Sequence, residues 1–325
     1  MYPTSDDPAF GAFVAAQLRS LASAGVDVTV DFVNGRRSVL EYPRAMARVA
    51  RRARRERFDL VHAHYGLTGS ATLFHRLPLV VTFYGDDLLG TPRASGELTM
   101  KSRFNRRLGF MAARRADAII CMSDEMRNAL PRAADRARAH VIPCGIDINV
   151  FSPGERHAAR ERLGLGPDER LVLFPNTPTE IRKRLDLAQG AVAELGPVGL
   201  VARLWIVTGV EHDRMPDYYR AADCLLLTSD WEGSPTVVKE ALCCDLPVVS
   251  VDAGDVRRWI ELAPGSQLVE RDPHAIARGL RDVLCGPRRI DGSTVRAEIG
   301  ADRIATRIID VYRLAIARHS RPKAR

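Results

Sequence analysis

Trp231-Glu232-Gly233-Ser234-Pro235-Thr236-Val237-Val238-Lys239-Glu240-Ala241-Leu242 follows the apolar run Cys224-Leu225-Leu226-Leu227. A short unbroken apolar run of this kind reads as a parallel strand buried on both faces. Ser234 is a good helix N-cap and Pro235 suits the first helical position. Gly233 and Ser234 are therefore expected on a strand-to-helix turn, with free N–H groups and the positive helix end converging on one point. That arrangement favours an anion, above all a phosphate. Glu232 lies just before the turn, and Glu240 falls about one and a half turns into the helix. Two carboxylates flanking a phosphate site suit a ligand with hydroxyls on either side of its phosphates, such as a nucleotide sugar. The competing reading is an ordinary capped helix with two surface glutamates.

Outward from this stretch, short apolar runs alternate with amphipathic helical patterns in two successive sets. The first set is Val26–Val30, Leu60–His64, Leu79–Phe83, Ala118–Met122 and Val141–Ile142. The second is Leu171–Phe174, Leu204–Thr208, Cys224–Thr228, Val248–Val251 and Leu268–Val269. Such alternation implies right-handed βαβ units and parallel sheets covered on both faces. The segment from Pro143 to Gly154 interrupts the pattern and reads as a linker. The expected fold class is α/β, with two Rossmann-like, doubly wound parallel-sheet domains facing a cleft. Ligands then bind at the carboxyl ends of the strands.

Size and composition agree. A chain of 325 residues accommodates two ordinary domains, and 46% hydrophobic residues place it among globular proteins. No apolar run approaches the ~20 residues needed to span a bilayer, and the first residues are polar and turn-like, unlike a signal peptide. Cys121, Cys144, Cys224, Cys243, Cys244 and Cys285 are scattered, without CxxC spacing, so reduced thiols in a cytoplasmic protein are expected. The net charge is +8, and of 48 basic residues only four are lysine. No aromatic-interleaved basic stripe of the kind single-stranded nucleic acid needs is present, so nucleic acid is not an expected partner. The dense cluster from Arg48 to Arg57 has helical spacing. It reads either as a solvated face or as a peripheral contact with an anionic membrane at its inner face.

Glu232 and Glu240 have the E-x7-E spacing of retaining GT-B glycosyltransferases. The sequence from Ser229 through Ser250 resembles the signature of the large family 4, glycosyl transferases group 1. The resemblance implies a bacterial enzyme of the hexosyltransferase type. It would move a sugar from a nucleotide-diphosphate sugar to a hydroxyl acceptor with retention, in cell-surface glycan, glycolipid or secondary-metabolite glycoside synthesis. The acceptor could be a saccharide, a lipid-linked group or a small molecule. The implied domains are an acceptor-side domain, 1–146, and a nucleotide-sugar domain, 147–300. The last helix, 301–325, crosses back to the first domain in many GT-B proteins.

Residue by residue, the resemblance places the ribose on Glu240 and the donor sugar on Glu232. The donor diphosphate lies against Lys183 and the turn of Gly233, Ser234, Pro235 and Thr236. The loop at Gly209 and Val210 meets the nucleobase, and Gly11 lets the first loop approach the donor. Family members carry a Gly-Arg pair where Asn176-Thr177 stands, and a glycine where Arg184 stands. Arg182 or Arg184 then has to supply the second positive charge. His62, His64, Tyr84 and Asp86 fall on the acceptor side, with Tyr84 where many relatives carry a histidine. Catalytic roles fall to Glu232, Lys183 and Tyr84, although a neutral tyrosine is a poor general base near neutral pH. The Y-x-x-A-D segment of Tyr219 and Asp223 reads as packing.

No cofactor beyond the sugar nucleotide and no metal are expected. The His62/His64 pair lacks further ligands at suitable spacing, and Asp86-Asp87 is not a gapped DxD loop. The family places a strand before the turn at Pro8–Phe13, so the first domain is expected to be without its first strand. An oxidoreductase is disfavoured because no G-x-G-x-x-G follows an early strand. A GT-B-like sugar-nucleotide epimerase and a degenerate, non-catalytic sugar-binding homologue remain as alternatives.

Overall fold

The computed structural model describes residues 11–35, 37–91 and 97–320. The chain divides into two compact units. One runs to Gly145 and takes in the chain again from Asp302, and the other is Ile146–Ala301.

The first unit contains a four-stranded parallel sheet in the order β1 (Val61–His64), β2 (Leu79–Phe83), β3 (Ala118–Cys121) and β4 (Ala139–Val141). Each strand pairs with the next, with Ala63 opposite Val81, Val81 opposite Ile119 and Ile119 opposite Ala139. Every residue of β2 and β3 is buried, as continuous apolar runs require in a sheet covered on both faces. The long helix Ala301–His319 returns to this unit from Asp302 onward. There Arg307 donates to the Val141 carbonyl and Arg318 to that of Asp117.

The strand expected at Val26–Val30 does not form, and residues 26–34 make no sheet ladder. A cavity of about 600 Å³ is bordered by Val28, Val30 and Val33 together with Leu60, His62, His64 and Tyr312. Alternating β-branched residues favour extended backbone, but a strand is stabilised by its cross-strand neighbours, and this segment has none among the described residues. The Pro8–Phe13 turn is described only from Gly11, which adopts a left-handed φ of 74° and precedes the helix Ala12–Ser23. Pro8, Ala9 and Phe10 lie outside the described residues.

The second unit has a five-stranded parallel sheet: β5 (Leu171–Phe174), β6 (Arg203–Ile206), β7 (Cys224–Leu227), β8 (Val248–Val251) and β9 (Gln267–Val269). Their order across the sheet is β6-β5-β7-β8-β9. The chain thus adds β6 on one side of β5 and β7 on the other, so the winding reverses between β5 and β7. On one face Val172, Phe174, Leu226 and Val249 pack with Leu187, Ala191, Ile276 and Leu280. The helix Thr236–Cys243 packs against β7 and β8.

Entry into β7 is fixed by Asp223. Its Oδ2 accepts from the Leu171 N–H and from Arg160, each at 2.8 Å, and its Oδ1 accepts from Arg156 at 3.0 Å. Arg160, only 1% exposed, also donates to the carbonyls of Ala221, Gly166, Pro167 and Glu169. Asp223 therefore has the packing role its sequence context implied. Arg160→Ala would leave the buried Asp223 with Arg156 as its remaining ion-pair partner and strip four carbonyls of the Arg160 donor, and should cost about 3 kcal/mol, measured as loss of stability in urea unfolding of the second unit.

Candidate active site

Because β5 and β7 are hydrogen-bonded neighbours, the loops leaving their carboxyl ends are side by side. Thr228 at the end of β7 donates to the carbonyls of Lys183 and Arg184, and the Asp230 N–H donates to the Arg182 carbonyl. Arg182 also stacks on the Trp231 ring, 5.0 Å from its centroid. This clamp carries the Arg182-Lys183 turn to Glu232. Lys183 Nζ donates to Glu232 Oε1 at 2.6 Å, Ser229 Oγ at 2.7 Å and Arg182 Nη1 at 3.2 Å. All three reach the same oxygen, and Oε2 makes no hydrogen bond among the described residues. Burial alone would raise the Glu232 carboxyl, but the charges of Lys183 and Arg182 outweigh it and hold the group below its ordinary range.

Of the two arginines that could replace the Gly-Arg pair, Arg182 joins this cluster. Arg184 turns instead to Asp186 and Asp230. Its backbone is left-handed, with φ 54° and ψ 52°, a region glycine occupies at little cost. That conformation suits the glycine that the resemblance implies at this position. Asn176, at the head of the β5 loop, is buried with its side-chain Nδ2 unpartnered.

The Gly233–Ser234 turn differs in detail from expectation. The helix begins at Thr236, after Pro235 in extended conformation, and no side chain caps it. Ser234 is not the cap because its hydroxyl is engaged elsewhere, donating to Asp255 Oδ2 at 2.7 Å and accepting from buried Lys239. Trp259 Nε1 holds the same Asp255 oxygen at 2.8 Å. Gly254, left-handed at φ 64°, lies so close that a Cβ there would sit 2.9 Å from the Glu232 carbonyl oxygen. These contacts brace the turn from one side.

Glu240 is only 3% exposed. Its Oε2 accepts from Tyr219 at 2.7 Å, and its Oε1 is 2.9 Å from His212 Nε2. Gly209 is exposed on the loop after β6 with φ 70°, and Val210 is half-buried beside it.

In the first unit, the other expected residues gather at the ends of β1 and β2. His62 lies 2.7 Å from both Tyr312 Oη and Thr82 Oγ1, and His64 Nδ1 lies 2.6 Å from Tyr84 Oη. The two imidazole rings are tilted by 32°, with centroids 4.1 Å apart. Tyr65 donates to Asp86 at 3.0 Å, and Phe13 rests on Tyr84. Asp87 is buried and accepts from the N–H groups of Gly66, Tyr84 and Gly85. Burial pushes the Tyr84 phenol well above its ordinary value, so it stays a neutral hydrogen-bonding group.

Comparison with known proteins follows this geometry. The profile described as Glycosyltransferase Family 4 matches residues 5–150, and that of Glycosyl transferases group 1 matches residues 176–285. D-inositol 3-phosphate glycosyltransferase from Xylanimonas cellulosilytica is 31% identical over 310 residues, covering 80% of this chain and 73% of that protein. The chain belongs to glycosyltransferase family 4. Among solved structures, the sucrose-phosphate synthase of Thermosynechococcus elongatus superposes with a TM-score of 0.71 at 21% identity, covering 85% of this chain and 78% of that one. The Anabaena protein HepE in complex with UDP-glucose gives a TM-score of 0.61 at 18% identity, covering 82% and 80%. These likenesses are of fold, and the fold is GT-B.

Several residues around the site of this glycosyltransferase were not singled out by sequence. His212, Ser229 and Asp255 carry no motif of their own, and Tyr219 was read as packing alone. Each is brought to the site by a different loop or helix. Among the described residues no group of His, Cys, Asp and Glu is arranged to hold a metal ion. Five cysteines are buried and Cys285 is exposed, all of them free.

Burial pushes His64 down to about 3, and burial with the neighbouring His64 pushes His62 well below its ordinary value. The folded rings stay neutral, whereas unfolded ones take up protons near their ordinary 6.5. Their contribution to stability is therefore lost as pH falls below about 6.5. Asp87, pushed up to about 7 by burial, works in the opposite direction over part of that range. Comparing melting temperatures of wild type and His64→Gln from pH 7.5 to 5 isolates the histidine term, and the variant should lose less stability on acidification.

Proposed function

We propose that this family 4 enzyme transfers a sugar from a nucleotide-diphosphate donor to a hydroxyl acceptor with retention of configuration. The observation that carries this reading is the cluster of Arg182, Lys183 and Glu232 where the winding of the second sheet reverses, with Glu240 on the helix that follows. The donor diphosphate lies against Lys183, Arg182 and the N–H groups of Gly233 to Thr236. The ribose meets Glu240, the sugar meets the open Oε2 of Glu232, and the base lies by Gly209 and Val210.

As the C1–O bond breaks, negative charge accumulates on the departing diphosphate. Fixed positive groups beside it stabilise the transition state more than the ground state, since no reorganisation is needed at that moment. Lys183 is held by Glu232 in the unliganded enzyme, so the salt bridge keeps the ammonium in place until the more highly charged diphosphate arrives. The departing phosphate oxygen takes the acceptor proton. Tyr84, whose phenol stays neutral, contributes a hydrogen bond rather than general-base chemistry. His62, His64, Tyr84 and Asp86 form the acceptor side and Gly11 the first loop. No cofactor is required, because the cationic groups neutralise the leaving group.

Several relatives are named for D-inositol 3-phosphate, so a phosphorylated polyol belongs beside saccharide and lipid-linked acceptors in a substrate panel. No helix among the described residues is long and apolar enough to cross a membrane. In the cluster of residues 48–57, Arg48 and Arg52 are tied to Asp31 and Glu56. Arg51, Arg54, Arg55 and Arg57 are exposed. These exposed arginines suit peripheral contact with anionic lipid on the cytoplasmic side.

A panel of nucleotide sugars, followed by hydrolysis or transfer with assignment of the product anomer, tests the proposal; formation of an inverted product would overturn the retaining assignment. Glu240→Ala should weaken donor binding by about 1–3 kcal/mol, and Lys183→Ala should lower turnover more than donor affinity. Full activity in both variants would place the site elsewhere. Turnover should also persist in excess EDTA, and a strict requirement restored by Mg2+ or Mn2+ would contradict leaving-group stabilisation by Lys183 and the helix end.

A further inference from the structure

The Glu240 carboxylate has four lone-pair positions, two on each oxygen. One on Oε2 is taken by the Tyr219 hydroxyl and one on Oε1 by His212 Nε2. Bonds at both ends of the carboxylate stop its rotation and leave one lone pair on each oxygen, side by side. That is the acceptor pattern for two adjacent hydroxyls.

The two donors are themselves held by one ring. Phe151, fully buried and contributed by the segment that opens the second unit, packs on His212 at 4.9 Å between centroids and on Tyr219 at 6.1 Å. Tyr219 is completely buried and cannot swing away. His212 has a side chain 48% exposed, so it forms the solvent-side post of the pair. Phe151, the continuous stretch that carries His212 and Tyr219, and the helix that carries Glu240 are three separate segments, and packing a tyrosine into the core does not require its hydroxyl to meet a carboxylate.

We propose that Tyr219 and His212 are positioning residues that aim Glu240 at a vicinal diol, and thereby set the preference of this enzyme for ribonucleotides over nucleotides lacking the 2′- and 3′-hydroxyls. The inference rests on the reading of Glu240 as the ribose-binding carboxylate. It adds two residues whose effect depends on the presence of the diol, which a purely structural role would not.

The test is calorimetric titration of UDP, GDP and ADP, each against its 2′,3′-dideoxy counterpart, into wild type, Tyr219→Phe, His212→Ala and His212→Gln. Wild type should prefer the ribonucleotide it binds by about tenfold or more, the scale of hydrogen bonds to a charged acceptor. Tyr219→Phe should reduce that ratio to within about threefold by weakening the ribonucleotide alone. His212→Ala should reduce it in part, and His212→Gln, which restores an N–H donor, should recover it. If Tyr219→Phe proves too unstable to titrate, the two His212 variants carry the test. Equal weakening of both nucleotide forms, with the wild-type ratio kept, would show that the two rings only support the fold and would overturn the inference. Wild type that binds none of the three nucleotides, or does not distinguish them from their dideoxy forms, would overturn the donor-site reading itself.

Discussion

The reversal of winding between β5 and β7 is the constraint on which the second unit depends. Consecutive strands in a parallel sheet usually grow in one direction, and their loops are covered by the connecting helices. Where the direction changes, two adjacent strands send their loops apart and leave a crevice at their carboxyl ends. Here the same pairing also brings the loops close enough to be clamped, with Thr228 holding two carbonyls of the Arg182–Arg184 turn. Lys183 and Glu232 are 49 residues apart, and nothing local brings them together. Their meeting follows from which strands are neighbours.

Around that crevice the charges are prepaid by packing. A carboxylate with little access to water is costly unless cations and donors surround it. Glu232 has Lys183, Arg182 and Ser229 on one oxygen, and Glu240 has Tyr219 and His212. Behind the Gly233–Ser234 turn, Lys239 and Asp255 occupy the Ser234 hydroxyl, and Gly254 lets a second loop press on the backbone. The turn gains rigidity from these side chains, which fix its backbone in one arrangement.

In the first unit the aromatic groups at the ends of β1 and β2 are held uncharged. His62 and His64 are kept neutral by burial, Tyr84 is kept protonated, and the acidic Asp86-Asp87 pair is engaged by Tyr65 and by backbone N–H groups. Such a surface offers neutral hydrogen-bond donors and acceptors at the ends of β1 and β2.

Apolar runs alternating with helical patterns were sufficient to read the α/β class, the two sheets and nine of the ten expected strands, because local periodicity records which faces are buried. The ordered sequence from Trp231 to Leu242 was sufficient to pick out Glu232 and Glu240. Sequence erred at Val26–Val30, where propensity is strong but no partner strand lies alongside among the described residues. It also erred at Ser234, whose local capping preference yields to a buried lysine and aspartate from elsewhere in the chain. The contact of Arg182 rather than Arg184 with Glu232, and the bonds from Tyr219 and His212 to Glu240, were decided by the tertiary structure alone. Each depends on distances between segments far apart in the chain, and those distances are fixed by strand order and core packing, which no local pattern encodes.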